Sequence, residues 1–327
     1  MTSERASPRP GHVPVMPVAV LHACAVTPGQ LVVDCTAGGG GHLARFADAV
    51  GDGGRVIALD RDERAFADDA AGGVARERTN VTLVRSPFSQ ARAALDELGV
   101  ERADVVFADL GVSSFQLDEG ERGFSFRADA PLDMRMDTSR GETAAEFVAS
   151  LSESDLADVI YRYGEERGSR RVARAIKQAR PQTTQQLVDA VFRALGPQRG
   201  RIHPATRTFQ ALRIAVNAEL LELETLLAAL PSLLRPGGRA GFLTFHSLED
   251  RLVKQAFRAR RDDGRFRQTT KKPVVADEDE QRTNPRSRSA KLRVAIWSPA
   301  GADDHGDDAQ DRDDDVDDID DAPEEHE

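Results

Sequence analysis

Residues 32–44 read VVDCTAGGGGHLA, an apolar run that passes through four consecutive glycines into helix-forming residues. Glycines at such a turn let the backbone approach a ligand closely, and the helix that follows aims its positive end at it. Strand, glycine turn and helix in that order point to a parallel α/β sheet whose ligands bind outside the carboxyl ends of the strands. The first third of the chain repeats the pattern. Strands are expected at Leu31–Cys35, Arg55–Asp60, Val81–Arg85 and Asp104–Leu110, with helices from the glycines to about Val50, over Glu63–Ala75 and over Ser89–Leu98.

After Leu110 the alternation stops. A Gly-, Asp- and Arg-rich loop leads into helical patterns at Asp155–Tyr163, Gly168–Gln178 and Gln185–Ala194, the last with a capping box from Thr183 to Gln186. A long helix over Thr208–Leu234, a strand at Arg239–His246, a helix at Leu248–Arg260 capped by Ser247 and a strand at Lys291–Trp297 complete the order. The simplest assembly is one open sheet with helices inserted between its fourth and fifth strands. Residues 1–11 then form a disordered arm, 12–110 and 208–300 the two parts of the sheet domain, 111–207 a loop and helical insertion for substrate recognition, and 301–327 a disordered acidic tail.

Charge bears on the partner. The formal net charge of −11 argues against nucleic acid, yet Asp303–Glu327 alone carries a net −14 and the remaining body is +3. An RNA substrate is therefore compatible with the body. Basic residues collect in the insertion, among them Arg170, Arg171 and Arg174, and again around Arg286 and Arg288; with Tyr161, Tyr163 and Phe209 they suit phosphate contacts and base stacking. No apolar run reaches the roughly 18 residues of a membrane helix and the N-terminus lacks a signal-peptide core, so a cytoplasmic protein without a membrane partner is expected. Cys24 and Cys35 are too few for a disulfide framework, and no Cys/His cluster has zinc-site spacing, so no metal is expected.

The glycine turn is ambiguous by itself. Gly39, Gly41 and Ala44 satisfy a dinucleotide pattern, with Asp60 placed to grip ribose hydroxyls, and a nicotinamide or flavin enzyme fits as far as that. Two further acids favour S-adenosylmethionine instead. Asp34, just ahead of the glycines, would hold the cofactor's methionine part and repel a pyrophosphate, and Asp109 ends the fourth strand on the ligand side. The loop after Asp109, with Ser113 and Ser114, reads as a cover for cofactor or substrate. His246, at the end of another strand, lines the same side.

The strings TAGGGGH, ALDRD, SPF, DLGVSS, ERGFSF, PLDMRMD, YGEER, HPATRTFQALRI, FHSLED and NPRSRS resemble the MraW/RsmH family of bacterial methyltransferases of small-subunit ribosomal RNA, from about His12 to Trp297. The resemblance implies a class I S-adenosylmethionine-dependent (Rossmann-like) α/β fold with an inserted helical domain. It implies methyl transfer to the exocyclic 4-amino group of one P-site cytidine of 16S rRNA, in the small subunit or its precursor, by a monomer or homodimer. Carried over, the cofactor contacts are Gly40, Gly41, His42, Asp60, Phe88, Asp109 and Gln116. Phe115 stands where the family usually has Pro, Leu43 replaces a usual Ser or Thr, and the acidic tail is additional. A cytosine amine is a poor nucleophile, so an acceptor must orient it. Asp109 is the first candidate, with Ser113 and His246 behind it.

Overall fold

The computed structural model describes residues 13–113, 115–116, 120–197, 203–268 and 272–299. The expected N-terminal arm, the acidic tail and Ser114 lie outside the described residues. Seven strands, β1 Leu31–Asp34, β2 Arg55–Asp60, β3 Val81–Arg85, β4 Ala103–Asp109, β5 Leu234–Thr244, β6 Phe266–Gln268 and β7 Lys291–Trp297, form one sheet in the order β3-β2-β1-β4-β5-β7-β6. The first five are parallel, and β7 runs antiparallel to both of its neighbours. Strands β1, β2 and β4 are almost uninterrupted apolar runs because helices cover both faces of the sheet. The doubly wound α/β fold expected from the sequence is the one observed.

Each face has its own core. On one side α1 Pro17–Ala23 and α2 Gly41–Val50 pack Val20, Leu43, Phe46 and Val50 against Val32, Val56 and Phe107. On the other, α4 Ala91–Glu97 and the long helix before β5 pack Leu95, Leu223, Leu226, Leu227 and Leu230 against Val33, Ile57 and Val106. The spacing of those leucines puts them on one stripe of that helix. A short α3 Ala71–Glu77 lies between β2 and β3.

The insertion has a third core. Helices α5 Ala144–Ser150, α6 Glu153–Gly164, α7 Ser169–Ala179, α8 Thr184–Leu195 and α9 Thr206–Asn217 enclose Val148, Leu156, Ile160, Val172, Ile176, Leu187, Val191 and Leu212. The expected division after residue 207 falls just inside α9, whose Phe209 and Leu212 pack in this helical core. Phe209, read from the sequence as an RNA-stacking ring, is 5% exposed and so unavailable for stacking, whereas Tyr161 is 59% exposed.

Several local expectations are corrected. The helix expected over Thr208–Leu234 is two helices, α9 and α10 Glu219–Leu233, broken at Ala218 with φ 50°. Arg213 reaches across the break to bind Glu219 through two bonds of 2.8 Å, and Asn217 turns its amide to the Met134 carbonyl 2.7 Å away. The helix expected over Glu63–Ala75 is a 3-10 turn at Glu63–Phe66, capped by Asp62, followed by α3. Thr183 caps α8, but Gln186 accepts from Gln182 rather than closing the box on Thr183. The final helix of the core, α11 Ser247–Asp262, is capped by His246, not Ser247. Strand β6 is too short to have been read from its three residues.

Candidate active site

A cleft of about 340 Å³ opens at the carboxyl ends of β1, β2 and β4. Its lining includes Gly41, His42, Asp60, Phe88, Asp109, Ser113, Gln116 and Arg286, residues that the sequence separates widely. Residues Val13–Val15 form a strap along one wall. Asn284 holds the strap by a 3.3 Å bond to the Val13 carbonyl, and Glu280 accepts from the Met16 amide. The Cβ of any residue at Gly41 would stand 3.1 Å from Pro14, so strap and glycine turn are in close contact.

The expected residues divide by role. Asp60 spends both oxygens on backbone, accepting from Gly38 N at 2.8 Å and Asp62 N at 2.8 Å, which fixes its carboxylate at the cleft with lone pairs to spare. Phe88 begins a 3-10 turn and packs half-buried on the α4 side. Gln116 is buried; its amide accepts from Ser113 N at 3.0 Å and donates to Asp62 at 2.7 Å, so it locks the loop after β4. Gly40 does not line the cleft: φ is 81°, and an added Cβ would lie 2.9 Å from Val74, so helix packing as well as backbone geometry demands glycine there.

Asp34 is not placed as expected. It is fully buried beneath the turn, one oxygen accepting from Thr36 N at 3.0 Å and the other unpartnered. It works through Thr36, whose hydroxyl accepts from Asp109 N at 2.7 Å and so ties β4 to the glycine turn. His246 does not line the cleft either. Its Nδ1 accepts from Glu249 N at 3.3 Å as the helix cap. Arg170, Arg171 and Arg174 sit exposed on α7 and Arg288 is exposed, none of them in the cleft. Cys35 donates its amide to the Phe107 carbonyl at 2.8 Å and lines the cleft, although burial pushes its thiol far above the usual range.

The electrostatics are those of a site made for a cation. Burial pushes Asp34 up to about 7 and Asp60 to about 6, and burial together with the charges of Asp34 and Glu249 pushes Asp109 to about 8. Oxygens of Asp34 and Asp109 and the Ser113 hydroxyl are buried with no hydrogen-bond partner. A positive ligand would relieve all three acids, whereas a pyrophosphate would meet them as like charges.

Sequence reasoning missed part of the site. Asp62 is buried and takes Arg122 and Gln116, each at 2.7 Å. Arg213 lines the cleft with Glu219 and Glu249, and Arg61 bonds the Asn217 carbonyl at 2.9 Å. Burial would raise Glu249, but the hydrogen bond from His246, the charge of Arg213 and the bond from the Phe245 amide hold it below the ordinary value. Glu219, His246 and Glu249 bring ligand-type atoms within 4.8 Å of one another, and Arg213 already supplies positive charge there. The only sequence signal was the spacing from His246 to Glu249, that of a capping box. Among the described residues no helix is long and apolar enough to cross a membrane.

Comparison with known proteins adds the lineage. The family model described as the MraW methylase family matches residues 9–297. A ribosomal RNA small subunit methyltransferase H of Sorangium cellulosum is 54% identical, covering 88% of this chain and 92% of its own. The proteins of that name in Geobacter sp. strain M21 and Bradyrhizobium diazoefficiens are 47% and 48% identical, covering 86% and 91% of this chain and 97% and 94% of theirs. The match spans the glycine turn, the acids at the strand ends and the inserted helices, and the chain belongs to the MraW methylase family.

Proposed function

We propose that this chain transfers a methyl group from S-adenosylmethionine to the exocyclic 4-amino group of a single P-site cytidine of 16S rRNA, acting on the small subunit or its precursor. The observation that carries the reading is the set of buried, raised carboxylates around a glycine turn, ending in Asp109 with an unpartnered oxygen. S-adenosylmethionine supplies a methyl carbon made electrophilic by a neighbouring sulfonium. The names of the relatives support ribosomal RNA as the substrate.

The residues divide the work. Asp60 takes the ribose hydroxyls, Phe88 covers the adenine, and the Gly38–Gly41 turn with Asp34 behind it receives the methionine part. Asp109 accepts a hydrogen of the substrate amine and takes up its proton as positive charge develops on nitrogen; a carboxyl raised to about 8 is matched to that task near neutral pH. Carbon-5 chemistry is disfavoured because it needs a thiolate, and burial keeps the Cys35 thiol protonated. The target base must be turned out of the RNA to reach the cleft, with Arg170, Arg171 and Arg174 on the insertion and Arg286 and Arg288 near the strap holding phosphates. Mass spectrometry of 16S rRNA from a deletion strain tests the reading. One methylated cytidine should disappear and return on complementation; an unchanged set of cytidine modifications would refute it.

A further inference from the structure

We propose that His42 Nε2 is the second acceptor for the substrate amine, beside Asp109, and that it makes the site select an amino group over a carbonyl. This rests on the cytidine-amine reading above. His42 is 6% exposed at the start of α2 and lines the cleft, with Nε2 buried and without a hydrogen-bond partner. Its ring is held between Phe46 and Phe107, centroids 6.2 and 4.9 Å away, so the nitrogen cannot swing elsewhere. Asp109 Oδ2 lies 3.6 Å from Nε2. The pair faces the space beside the glycine turn, His42 from the start of α2 and Asp109 from the end of β4.

The tautomer decides what such a nitrogen can do. The Val15 backbone accepts a hydrogen bond from the imidazole; with Nε2 unpartnered, the bond goes from Nδ1 and Nε2 presents a lone pair. Burial pushes the imidazole down to about 4, so it stays neutral at working pH even with Asp34 and Asp109 at the neighbouring strand ends and Glu249 in the first turn of α11. A neutral, Nδ1-protonated imidazole can accept but cannot donate at Nε2. An exocyclic amine has two hydrogens, one for Asp109 and one for His42. Uracil offers a carbonyl at the same place, and two acceptors would face a third. The strap that carries Val15 is anchored by Asn284 and Glu280, so the NPRSRS region helps set this selectivity from behind.

The test uses the full chain with His42→Phe, which keeps a ring between Phe46 and Phe107 and removes the acceptor, and His42→Gln, which restores an oxygen near the Nε2 position. Protein loaded with S-adenosylhomocysteine is titrated with target RNA bearing cytidine or uridine at the methylated position. Wild type and His42→Gln should prefer cytidine, while His42→Phe should lose about 10- to 100-fold of that preference and a similar factor in kcat/KM for RNA, both read at saturating cofactor because His42 is also an expected cofactor contact. In the wild type, the ¹⁵N resonance of His42 Nε2 should be that of an unprotonated nitrogen and should shift on adding cytidine RNA but not uridine RNA. That spectrum decides the matter even if the substitutions unfold the chain. A His42→Phe protein with undiminished preference, a loss confined to cofactor Kd, or a protonated Nε2 would overturn the proposal. Wild-type methylation at another atom would overturn it together with the reading it rests on.

Discussion

The buried acids at the strand ends are the residues on which binding and pH act together. Asp34, Asp60 and Asp109 are each pushed above the ordinary carboxylate range, chiefly by burial. A ligand that brings positive charge favours their ionised forms, so binding releases protons wherever the free protein still holds them. Cofactor affinity should therefore rise from pH 6 toward pH 8.5 and level off above, by about tenfold per pH unit for each proton released. Calorimetry in buffers of different ionisation enthalpy should show that release at pH 7. The same raised values mean that these acids weaken the unliganded fold as pH climbs from about 4 to about 8, since the folded state binds the extra protons. The thermal upshift produced by S-adenosylmethionine should consequently be larger at pH 8 than at pH 6. Affinity independent of pH across that window would remove the acids from the cofactor site.

At the scale of elements, the break between α9 and α10 joins the insertion to the sheet. Asn217 accepts from Met136 N at 2.8 Å and donates to Met134 and Arg213 carbonyls at 2.7 and 2.9 Å, while its own carbonyl takes Arg61 beside Asp60. Asn217→Ala leaves a buried amide and buried carbonyls without partners and should cost about 2–3 kcal/mol, seen as a fall in Tm of roughly 5–10 °C. The loss should reach cofactor binding as well, because Arg61 and Met136 both line the cleft. A destabilised variant with wild-type cofactor affinity would uncouple the break from the site. This junction also shows where sequence reading stops. Strands β1, β2, β4 and β7 were legible because burial on both faces makes them apolar runs bounded by turns. The break at Ala218 was not, because its cause is a partner 83 residues away, and an apolar stripe alone continues smoothly from α9 into α10.

The candidate site was legible to a similar depth. Gly41, His42, Asp60, Phe88, Asp109, Ser113 and Gln116 do meet at one cleft, since each stands at the end of a strand or in the turn, loop or helix start that follows it. Asp62 and Arg213 were missed because nothing local marks them, and Glu249 because its spacing from His246 marks only a capping box. Their importance lies in pairing across elements that only folding brings together.

For the molecule as a whole, the charge separates into a body of +3 and a tail of −14. The exposed arginines of α7 belong to the body, away from the cleft. Replacing Arg170 and Arg171 together with Glu should weaken RNA binding at least tenfold at low salt and flatten its salt dependence, while calorimetry finds cofactor affinity unchanged. Truncation after Ala302 should act in the opposite direction, strengthening RNA binding at low salt and losing that gain above about 0.3 M, where the Debye length is only a few ångströms. RNA binding indifferent to both changes would place the RNA surface elsewhere.

The central claim is that this cleft methylates a cytosine amine. Small subunits from the deletion strain, incubated with the purified chain and S-adenosylmethionine and then digested to nucleosides, test it by mass spectrometry. Wild type should give one equivalent of N4-methylcytidine from 16S rRNA, and Asp109→Asn almost none. Methyl found on carbon-5 or on a ribose, or a fully active Asp109→Asn protein, would contradict it.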